Sequence, residues 1–273
     1  MTKRIFWMTD IHLNFLKPEG VGEFLAGVAE QSPDVVLIGG DIAEAPTVEK
    51  YLRAIEATEC PTYFVLGNHD FYGGSIERVR KAVGKQAAAS NSLNYLTTGA
   101  GASLGDDGVA ELAEGVGLVG HDGWADGRLG DYAGSQVMLN DYRLIMELAG
   151  VDKARRLPLL NQLGDEAADH FRRVLPIAFE RFGRVLLLTH VPPMREACWH
   201  EGRTSNDEWV PHFACHAVGQ ALLEIMPQFP DRQLTVLCGH THGRGEVRPL
   251  ENLEILTGAA EYRAPAVEKV FEF

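Results

Sequence analysis

Apolar runs and helical patterns alternate along the first ninety residues. Short apolar runs near 4–9, 34–39 and 61–66 have the composition of buried strands. Between them, apolar residues such as Leu25 and Val28 recur at three- and four-residue steps, which is typical of amphipathic helices. The pattern predicts repeated βα units with parallel strands. It therefore places the loops that follow these strands at one edge of a sheet.

The rest of the chain predicts a second sheet and a helical region. Gly-rich apolar segments between 90 and 120 indicate β-structure, and 141–182 indicates helices that Pro158 and Pro176 break or bound. We expect one α/β domain over 1–273, with a cap-like insertion around 121–182. Later elements are predicted as strands at 185–188 and 234–238, a structureless loop at 191–208, a helix around 212–226 and a β-meander over the last thirty residues.

The composition is that of a soluble globular protein. Hydrophobic residues make up 45% of the chain, and 38 acidic against 25 basic residues give a net charge of -13, which disfavours stable nucleic-acid binding. The four cysteines are too scattered for a disulfide framework, and the chain has neither a signal-peptide pattern nor an 18-residue apolar stretch. We therefore expect a reduced, cytoplasmic protein without membrane contact. The composition makes no prediction about oligomeric state.

Five polar clusters stand where strands are predicted to end. Their carboxylate, imidazole and carboxamide groups form a mixed nitrogen and oxygen donor set, which suits Mn, Fe or Zn better than Ca or Mg. Side chains two residues apart on an extended segment point the same way, so each D-x-H or H-x-H pair is expected to converge on one point. Glycines before the acidic and amide residues permit tight turns and close backbone approach. The clusters are Asp10-Ile11-His12, Gly39-Gly40-Asp41, Gly67-Asn68-His69-Asp70, His190, and Gly239-His240-Thr241-His242.

Taken in order, these clusters resemble the D-x-H, G-D, G-N-H-[ED], H and G-H-x-H blocks of the calcineurin-like metallophosphoesterase family. The resemblance extends from Asp10 to His242. It implies a four-layer α/β/β/α sandwich of two mixed sheets, with two divalent or trivalent transition-metal ions (Mn, Fe or Zn) at its edge. It also implies the ligands: Asp10, His12 and His242 for the first metal, Asn68, His190 and His240 for the second, and Asp41 as the bridge.

The resemblance further implies two catalytic residues. His69 follows the ligand Asn68 and is expected to protonate the leaving group or stabilise the pentavalent phosphorus. Asp70 is expected to orient His69 and keep its imidazole protonated, although Asp is shorter than the Glu that the family often carries here. Asp70 is also a candidate for the N-cap of the helix that follows.

Other polar residues near these clusters are weaker candidates. Arg195, His200 and Arg203 in the long loop, and His121 with Asp122 at the end of a predicted strand, are candidates for substrate contact, and the loop residues are equally compatible with a solvated face. A separate group superficially suggests zinc, but its spacing fits no common zinc finger. It consists of Cys198, His200, His212, Cys215 and His216.

The functional prediction is a dinuclear metal-dependent phosphoesterase. It would hydrolyse a phosphate mono- or diester of a small molecule or nucleotide by attack of a hydroxide that bridges the metals. Ile42 follows Gly40-Asp41, which departs from the extended block of serine/threonine protein phosphatases in this superfamily. The alternatives are a non-catalytic metal-bound protein-interaction scaffold and a DNA nuclease, and the acidic composition weighs against the nuclease.

Overall fold

The computed structural model describes residues 2–273, which form six α-helices and fourteen short strands. The helices are α1 (Pro18–Glu30), α2 (Val48–Glu56), α3 (Ile76–Ala89), α4 (Asp141–Leu144), α5 (Lys153–Arg181) and α6 (His216–Ile225). The strands are β1 (Arg4–Met8), β2 (Val35–Gly39), β3 (Thr62–Val65), β4 (Leu93–Tyr95), β5 (Ala100–Gly101), β6 (Ala110–Ala113), β7 (Val116–His121), β8 (Arg184–Thr189), β9 (Trp199–His200), β10 (Arg203–Thr204), β11 (Gln233–Cys238), β12 (Gly245–Leu250), β13 (Leu253–Thr257) and β14 (Lys269–Glu272).

The two six-stranded mixed sheets have the same arrangement of parallel and antiparallel strands. The first has the order β14-β1-β2-β3-β4-β5 and the second the order β12-β13-β11-β8-β7-β6. In each sheet four central strands run parallel, and an antiparallel strand closes each edge. Because the central strands are parallel, the loops that follow them leave each sheet at one edge.

Alternating apolar residues place each sheet between two cores. On β1, Phe6 packs with helices α1 to α3, while Ile5 and Trp7 face the second sheet. On β8, Val185 and Leu187 pack with α5 and α6 on the opposite side of the second sheet. Strands covered on both faces read as continuous apolar runs, as these do. The layers therefore run α/β/β/α, which confirms the predicted fold class.

Four local predictions were wrong. Helix α5 continues through Pro158 and Pro176, because the packing of its buried face outweighs the hydrogen bonds that the prolines remove. The last strand does not extend a meander: β14 pairs with β1 in the first sheet. The loop 191–208 contains the two-stranded β9–β10 hairpin, and β4 and β5 belong to the first sheet instead of the second.

The segment 121–182, predicted as a cap-like insertion, contributes α5 to the outer helical layer over the second sheet. Its earlier part, 122–152, is mostly irregular and includes the short helix α4. The division of the chain into one domain with such an insertion stays a prediction.

Two further features concern the cysteine thiols and the length of the helices. All four cysteines are free, and burial raises the pKa of the Cys215 and Cys238 thiols to about 12. Among residues 2–273, every helix is too short or too polar to cross a membrane.

Asp122 joins the two sheets just behind the polar edge. Its side chain is fully buried at the end of β7 and accepts hydrogen bonds from Leu66 N (2.8 Å), Tyr95 Oη (2.7 Å), Thr97 Oγ1 (2.6 Å) and Arg80 Nε (2.9 Å). Asp122 is therefore a structural anchor for the loop after β3, and the structure gives it no role as a pocket-lining residue.

We expect Asp122→Ala to lower the free energy of unfolding by about 3 kcal/mol, because several buried donors lose their acceptor together. Urea denaturation followed by circular dichroism measures the change. Asp165→Ala is the matched control: Asp165 is 56% exposed and pairs only with Arg128, so its loss should cost about 0.5 kcal/mol or less. Equal effects of the two substitutions would contradict the anchoring role.

Candidate metal centre

All seven predicted metal ligands meet where the two sheets end. They lie in five loops that follow β1, β2, β3, β8 and β11, so parallel strands of both sheets bring them to one edge. Five of the seven are buried, and His240 and His242 are partly exposed. The residues are Asp10, His12, Asp41, Asn68, His190, His240 and His242.

The first set of donor atoms comes from Asp10, His12, Asp41 and His242. One atom of each lies within 4.8 Å of all the others. Nε2 of His242 is 3.4 Å from both Asp10 Oδ1 and His12 Nε2, and His12 Nε2 is 3.7 Å from Asp41 Oδ2. This is the set that the resemblance implies for the first metal, together with the bridging carboxylate.

The second set centres on Asn68. Its Oδ1 is 3.1 Å from His190 Nε2 and 3.0 Å from His240 Nδ1. His190 Nε2 is 3.5 Å from Asp41 Oδ1. Asp41 therefore presents Oδ2 to the first set and Oδ1 to the second, which is the arrangement that a bridging carboxylate requires.

The chemistry of these atoms fits bound cations. Bonds of about 2.1 Å at octahedral or tetrahedral angles separate ligand atoms by about 3.0–3.4 Å, close to the spacing found here. His240 donates its Nε2 proton to the carbonyl of His212 (3.0 Å), and burial lowers its pKa to about 3, so its Nδ1 carries a lone pair. That lone pair faces the carbonyl oxygen of Asn68, and a cation between two such acceptors is stabilising.

Hydrogen bonds behind the ligands fix their orientation. His190 donates from Nδ1 to the carbonyl of Gly39 (2.9 Å), which turns its Nε2 towards Asp41. The amide of His240 donates to both carboxylate oxygens of Asp10, at 3.0 and 3.2 Å. Backbone groups of neighbouring loops therefore aim the side chains at the centre.

The prediction that the paired ligands lie on extended backbone was wrong. Asp10, His12, His240 and His242 all lie in the left-handed region, with φ of 51°, 40°, 68° and 58°, and Asp41 has φ of 51°. Such conformations are unfavourable for residues other than glycine and persist where the surroundings impose them. Here Asp10 N donates to Gly40 O (3.0 Å) and His12 N to Asp41 O (2.9 Å), so inter-loop hydrogen bonds hold the turns.

Two glycines make room for the bridge, as predicted. A Cβ atom at Gly67 would lie 2.2 Å from Asp41 Oδ1, and one at Gly40, whose φ is 91°, would lie 2.6 Å from Gly67 N. Any side chain at either position would displace the Asp41 carboxylate or the loop beside it.

Charge is unevenly distributed over the ligands. Burial opposes the ionised form of Asp10, but the nearby His190, His242 and His12 outweigh it and lower its pKa. Burial, followed by the charges of Asp10 and then Asp70, raises the pKa of Asp41 well above its usual range. The bridging position is thus the one at which the protein itself compensates the negative charge least.

His69 lies beside the centre, as expected. Its ring centroid is 4.7 Å from that of His12, and its Nε2 is 4.0 Å from Asp41 Oδ2. Burial, with His12 and His190 nearby, lowers its pKa to about 2. The side chain is 16% exposed and is therefore reachable from solvent at the open side of the site.

Asp70 does not orient His69, which corrects the prediction. Its oxygens accept from Ala43 N and Gly67 N, both at 2.8 Å, while His69 Nδ1 has no hydrogen-bond partner among residues 2–273. Burial raises the pKa of Asp70 to about 7 despite these bonds. Asp70 therefore ties the loop after β2 to the loop after β3. The N-cap alternative is also wrong, because Ser75 caps α3.

The sequence reasoning missed the residues that orient Asn68. Asn68 donates from Nδ2 to Asp141 Oδ1 (2.8 Å) and Tyr72 Oη (3.0 Å), and Tyr72 donates to the same Asp141 oxygen (2.6 Å). With the amide nitrogen engaged, the carbonyl oxygen of Asn68 must face the centre. Tyr72 stands four residues after Asn68, but no local signal points to Asp141, which lies 73 positions away.

Tyr262 is a second residue that the pattern did not reveal. Its ring centroid is 4.8 Å from His12, 5.2 Å from His242 and 5.0 Å from Phe15. Burial, with Asp41 and Asp10 nearby, raises its pKa to about 12. The loop between β13 and β14 thereby lays an aromatic ring along the rim of the first ligand set.

The predicted substrate residues are placed differently from one another. His121 is 2% exposed and packs under α5 against His170, with Nε2 3.7 Å from Glu166, so it does not join the ligands. Arg195 pairs with Asp207 at 2.7 Å. His200 approaches most closely, because its Nδ1 donates to the carbonyl of Thr241 (3.0 Å), between the two histidines of the last cluster. Arg203 is exposed on β10, opposite His200.

The Cys and His residues that superficially suggest zinc do not form a cluster. Cys198 donates to Met194 O and Phe213 O, and Cys215 to Gly164 O. His212 bonds to Ser135 and to Tyr142. Within residues 2–273 these side chains have separate structural partners.

The fold and site define a class: a two-sheet α/β/β/α sandwich with two adjoining nitrogen and oxygen ligand sets that share one carboxylate. Residues 3–244 match the family model described as calcineurin-like phosphoesterase. The chain belongs to this family, which confirms the expected resemblance.

Individual relatives agree with that assignment. A 101-residue stretch is 31% identical to a probable cyclic nucleotide phosphodiesterase of Pseudoalteromonas sp. (strain SM9913), covering 29% of this chain and 39% of the relative. Two solved structures have the same fold at low identity. A dimetal phosphatase from Danio rerio is 14% identical, with a TM-score of 0.58 over 96% of this chain and 89% of that one. A protein from Thermus thermophilus is 11% identical, with a TM-score of 0.57 over 100% of this chain and 99% of that one.

We expect Asp141→Ala to weaken metal binding about 10- to 100-fold, because Asn68 loses the acceptor that holds its carbonyl oxygen towards the centre. Calorimetric titration with Mn²⁺ or Zn²⁺ measures the affinity, and a thermal melt reports whether the variant is folded. Tyr72→Phe should give a smaller loss in the same direction. Asp231→Ala, at an exposed position, is the control, and an Asp141 variant with unchanged affinity would contradict the role.

Proposed function

We propose that this protein is a dinuclear metal-dependent phosphoesterase that hydrolyses a phosphate mono- or diester of a small molecule or nucleotide. One observation carries the proposal: the two oxygens of Asp41 each face a separate set of nitrogen and oxygen donors. Structural zinc sites are typically closed sites built from Cys and His, whereas this donor set lacks cysteine, combines imidazole nitrogen with carboxylate and amide oxygen, and lies at an open edge.

The ligand roles follow the two sets. Asp10, His12 and His242 would hold one metal and Asn68, His190 and His240 the other, with Asp41 shared. The donor types favour Mn, Fe or Zn. Two such ions supply a nucleophile from water near neutral pH and stabilise charge that develops on the phosphate oxygens.

Three residues that are not metal ligands would have separate roles at this site. His69 has a partly exposed ring next to Asp41, where it would contact the ester and stabilise the charge at phosphorus or on the leaving oxygen. Asp70 would act indirectly, by holding the loops that carry Asp41 and Asn68. Tyr262 would limit the rim on the side of His12.

The nucleotide part of the proposal has separate support. The partial relative from Pseudoalteromonas is named as a probable cyclic nucleotide phosphodiesterase. A nucleotide ester also suits a site with aromatic side chains around its rim. We further propose a reducing, cytoplasmic location, because all four cysteines are free and three are buried.

We expect metal-stripped protein to regain hydrolysis of p-nitrophenyl phosphate or bis-p-nitrophenyl phosphate when Mn, Fe or Zn is restored. Asp41→Asn should lower the rate at least about 100-fold, because a neutral amide cannot bridge two cations with two anionic oxygens. Release of p-nitrophenolate is measured by absorbance, and Asp231→Asn serves as the control. Full activity in the Asp41 variant would refute the shared-carboxylate centre.

The substitution His69→Ala tests whether the site catalyses hydrolysis or only binds metal. We expect kcat to fall about 10²- to 10⁴-fold while both metals stay bound, since His69 lies beside the donor sets without belonging to them. Elemental analysis gives the metal content and the nitrophenyl assay gives the rate. His216→Ala, at the start of α6, is a control histidine. An unchanged rate in His69→Ala would remove His69 from the mechanism.

A further inference from the structure

A cavity of about 330 Å³ lies beside the β9–β10 hairpin, on the rim of the candidate metal centre. Neither the family assignment nor the proposed set of metal ligands gives this cavity a role. Its lining combines aromatic, amide and hydroxyl side chains with one arginine and one glutamate, Glu201. They include His200, Arg203, Asn206, Trp209 and Phe213.

The cavity is connected to the second ligand set through Phe213. The Phe213 ring lies edge-on to His240, with centroids 5.3 Å apart and planes at 85°. On the other side, His200 donates to the carbonyl of Thr241, one residue after His240. A phosphate ester held at Asn68 and His240 would therefore have this cavity within reach of its organic group.

Trp209 gives the cavity a flat aromatic wall. Its ring stacks on Phe213, with centroids 5.5 Å apart and planes at 26°. Trp209 is nevertheless 42% exposed, unlike Trp7 and Trp124, which are 2% and 4% exposed. A tryptophan held in place by stacking yet open to solvent leaves a ring surface on which a planar ligand can stack.

Polar groups in the same cavity suit the edge of a heterocyclic ring. Asn206 accepts through Oδ1 from the amides of Glu208 and Trp209, both at 3.1 Å, which leaves its Nδ2 protons for other acceptors. Arg203 is exposed and forms no ion pair within residues 2–273, whereas Arg195 in the same loop is paired with Asp207. An unpaired cation at this rim is notable in a chain of net charge -13.

We propose that this cavity binds the nucleobase of the substrate, with Trp209 as the stacking platform. The inference rests on the proposed phosphoesterase function and deepens it, because it names a nucleotide ester as the substrate class. Trp209 is then a specificity-determining residue, and Arg203 and Asn206 provide donors to the base edge or sugar. Esters without a nucleobase would use only the metal centre.

Two esters with one leaving group test the inference in the metal-loaded protein. The p-nitrophenyl ester of thymidine 5'-monophosphate carries a base, whereas methyl p-nitrophenyl phosphate carries none. We expect Trp209→Ala to lower kcat/KM for the thymidine ester roughly 10- to 100-fold. The methyl ester should change less than about twofold, and Trp209→Phe, which keeps a ring, should retain most of the preference. Leu223→Ala, a partly exposed apolar residue on α6, is the control.

The outcomes separate the two levels of the proposal. Equal losses on both esters, or no loss on either, would overturn the nucleobase pocket while leaving the phosphoesterase function standing. If the unaltered protein hydrolyses neither diester, the diesterase part of the proposed function is the one in question, and binding decides the pocket. Quenching of tryptophan fluorescence by thymidine 5'-monophosphate that disappears in Trp209→Phe would support the pocket, and quenching that persists unchanged would overturn it.

Discussion

Repulsion among buried carboxylates is the constraint on which the rest of this structure depends. Asp10, Asp41 and Asp70 lie in adjoining loops, and each is almost fully excluded from water. Imidazoles and the amide of His240 compensate Asp10, and backbone amides compensate Asp70. Asp41 receives one amide hydrogen bond, from His69 (2.8 Å), and its pKa stays well above the usual range. Two bound cations would remove this imbalance, which would account for three buried carboxylates in adjoining loops.

The backbone around these residues is built to hold an unfavourable geometry. Five of the seven ligands adopt left-handed conformations in turns just after strands. Hydrogen bonds between the loops after β1 and β2 hold two of these turns, and the missing side chains at Gly40 and Gly67 let the loops approach. These loops start from the edges of the two sheets, and this rigid support keeps the donor atoms close together. Strain of this kind is typical of sites that must be organised before the ligand arrives.

The polar edge also divides into regions of different chemistry. The ligand sets and His69 form its centre, Tyr262 borders the first set, and the Trp209 and Phe213 pair borders the second. A centre that recognises only phosphate cannot distinguish one ester from another, so selectivity must come from such borders. Both borders are formed by segments between regular elements, one between β10 and α6 and the other between β13 and β14, which follow no sequence period.

The sequence alone predicted repeated βα units and a second sheet, because period-2 and period-3.6 patterns report burial. Its D-x-H, G-N-H-D and G-H-x-H blocks are local, and their resemblance to a known family implied the four-layer fold class and the seven candidate ligand positions. The sequence also located Gly40 and Gly67, because each directly precedes a candidate ligand in its block. Only the tertiary structure decided that Asp70 anchors loops and that Asp141 orients Asn68, since each bond joins segments far apart in the chain. The same holds for helix α5, which runs through Pro158 and Pro176, and for β14, which crosses to the first sheet. In these cases packing against distant elements outweighed the local preference, and no local pattern encodes which distant surface is available.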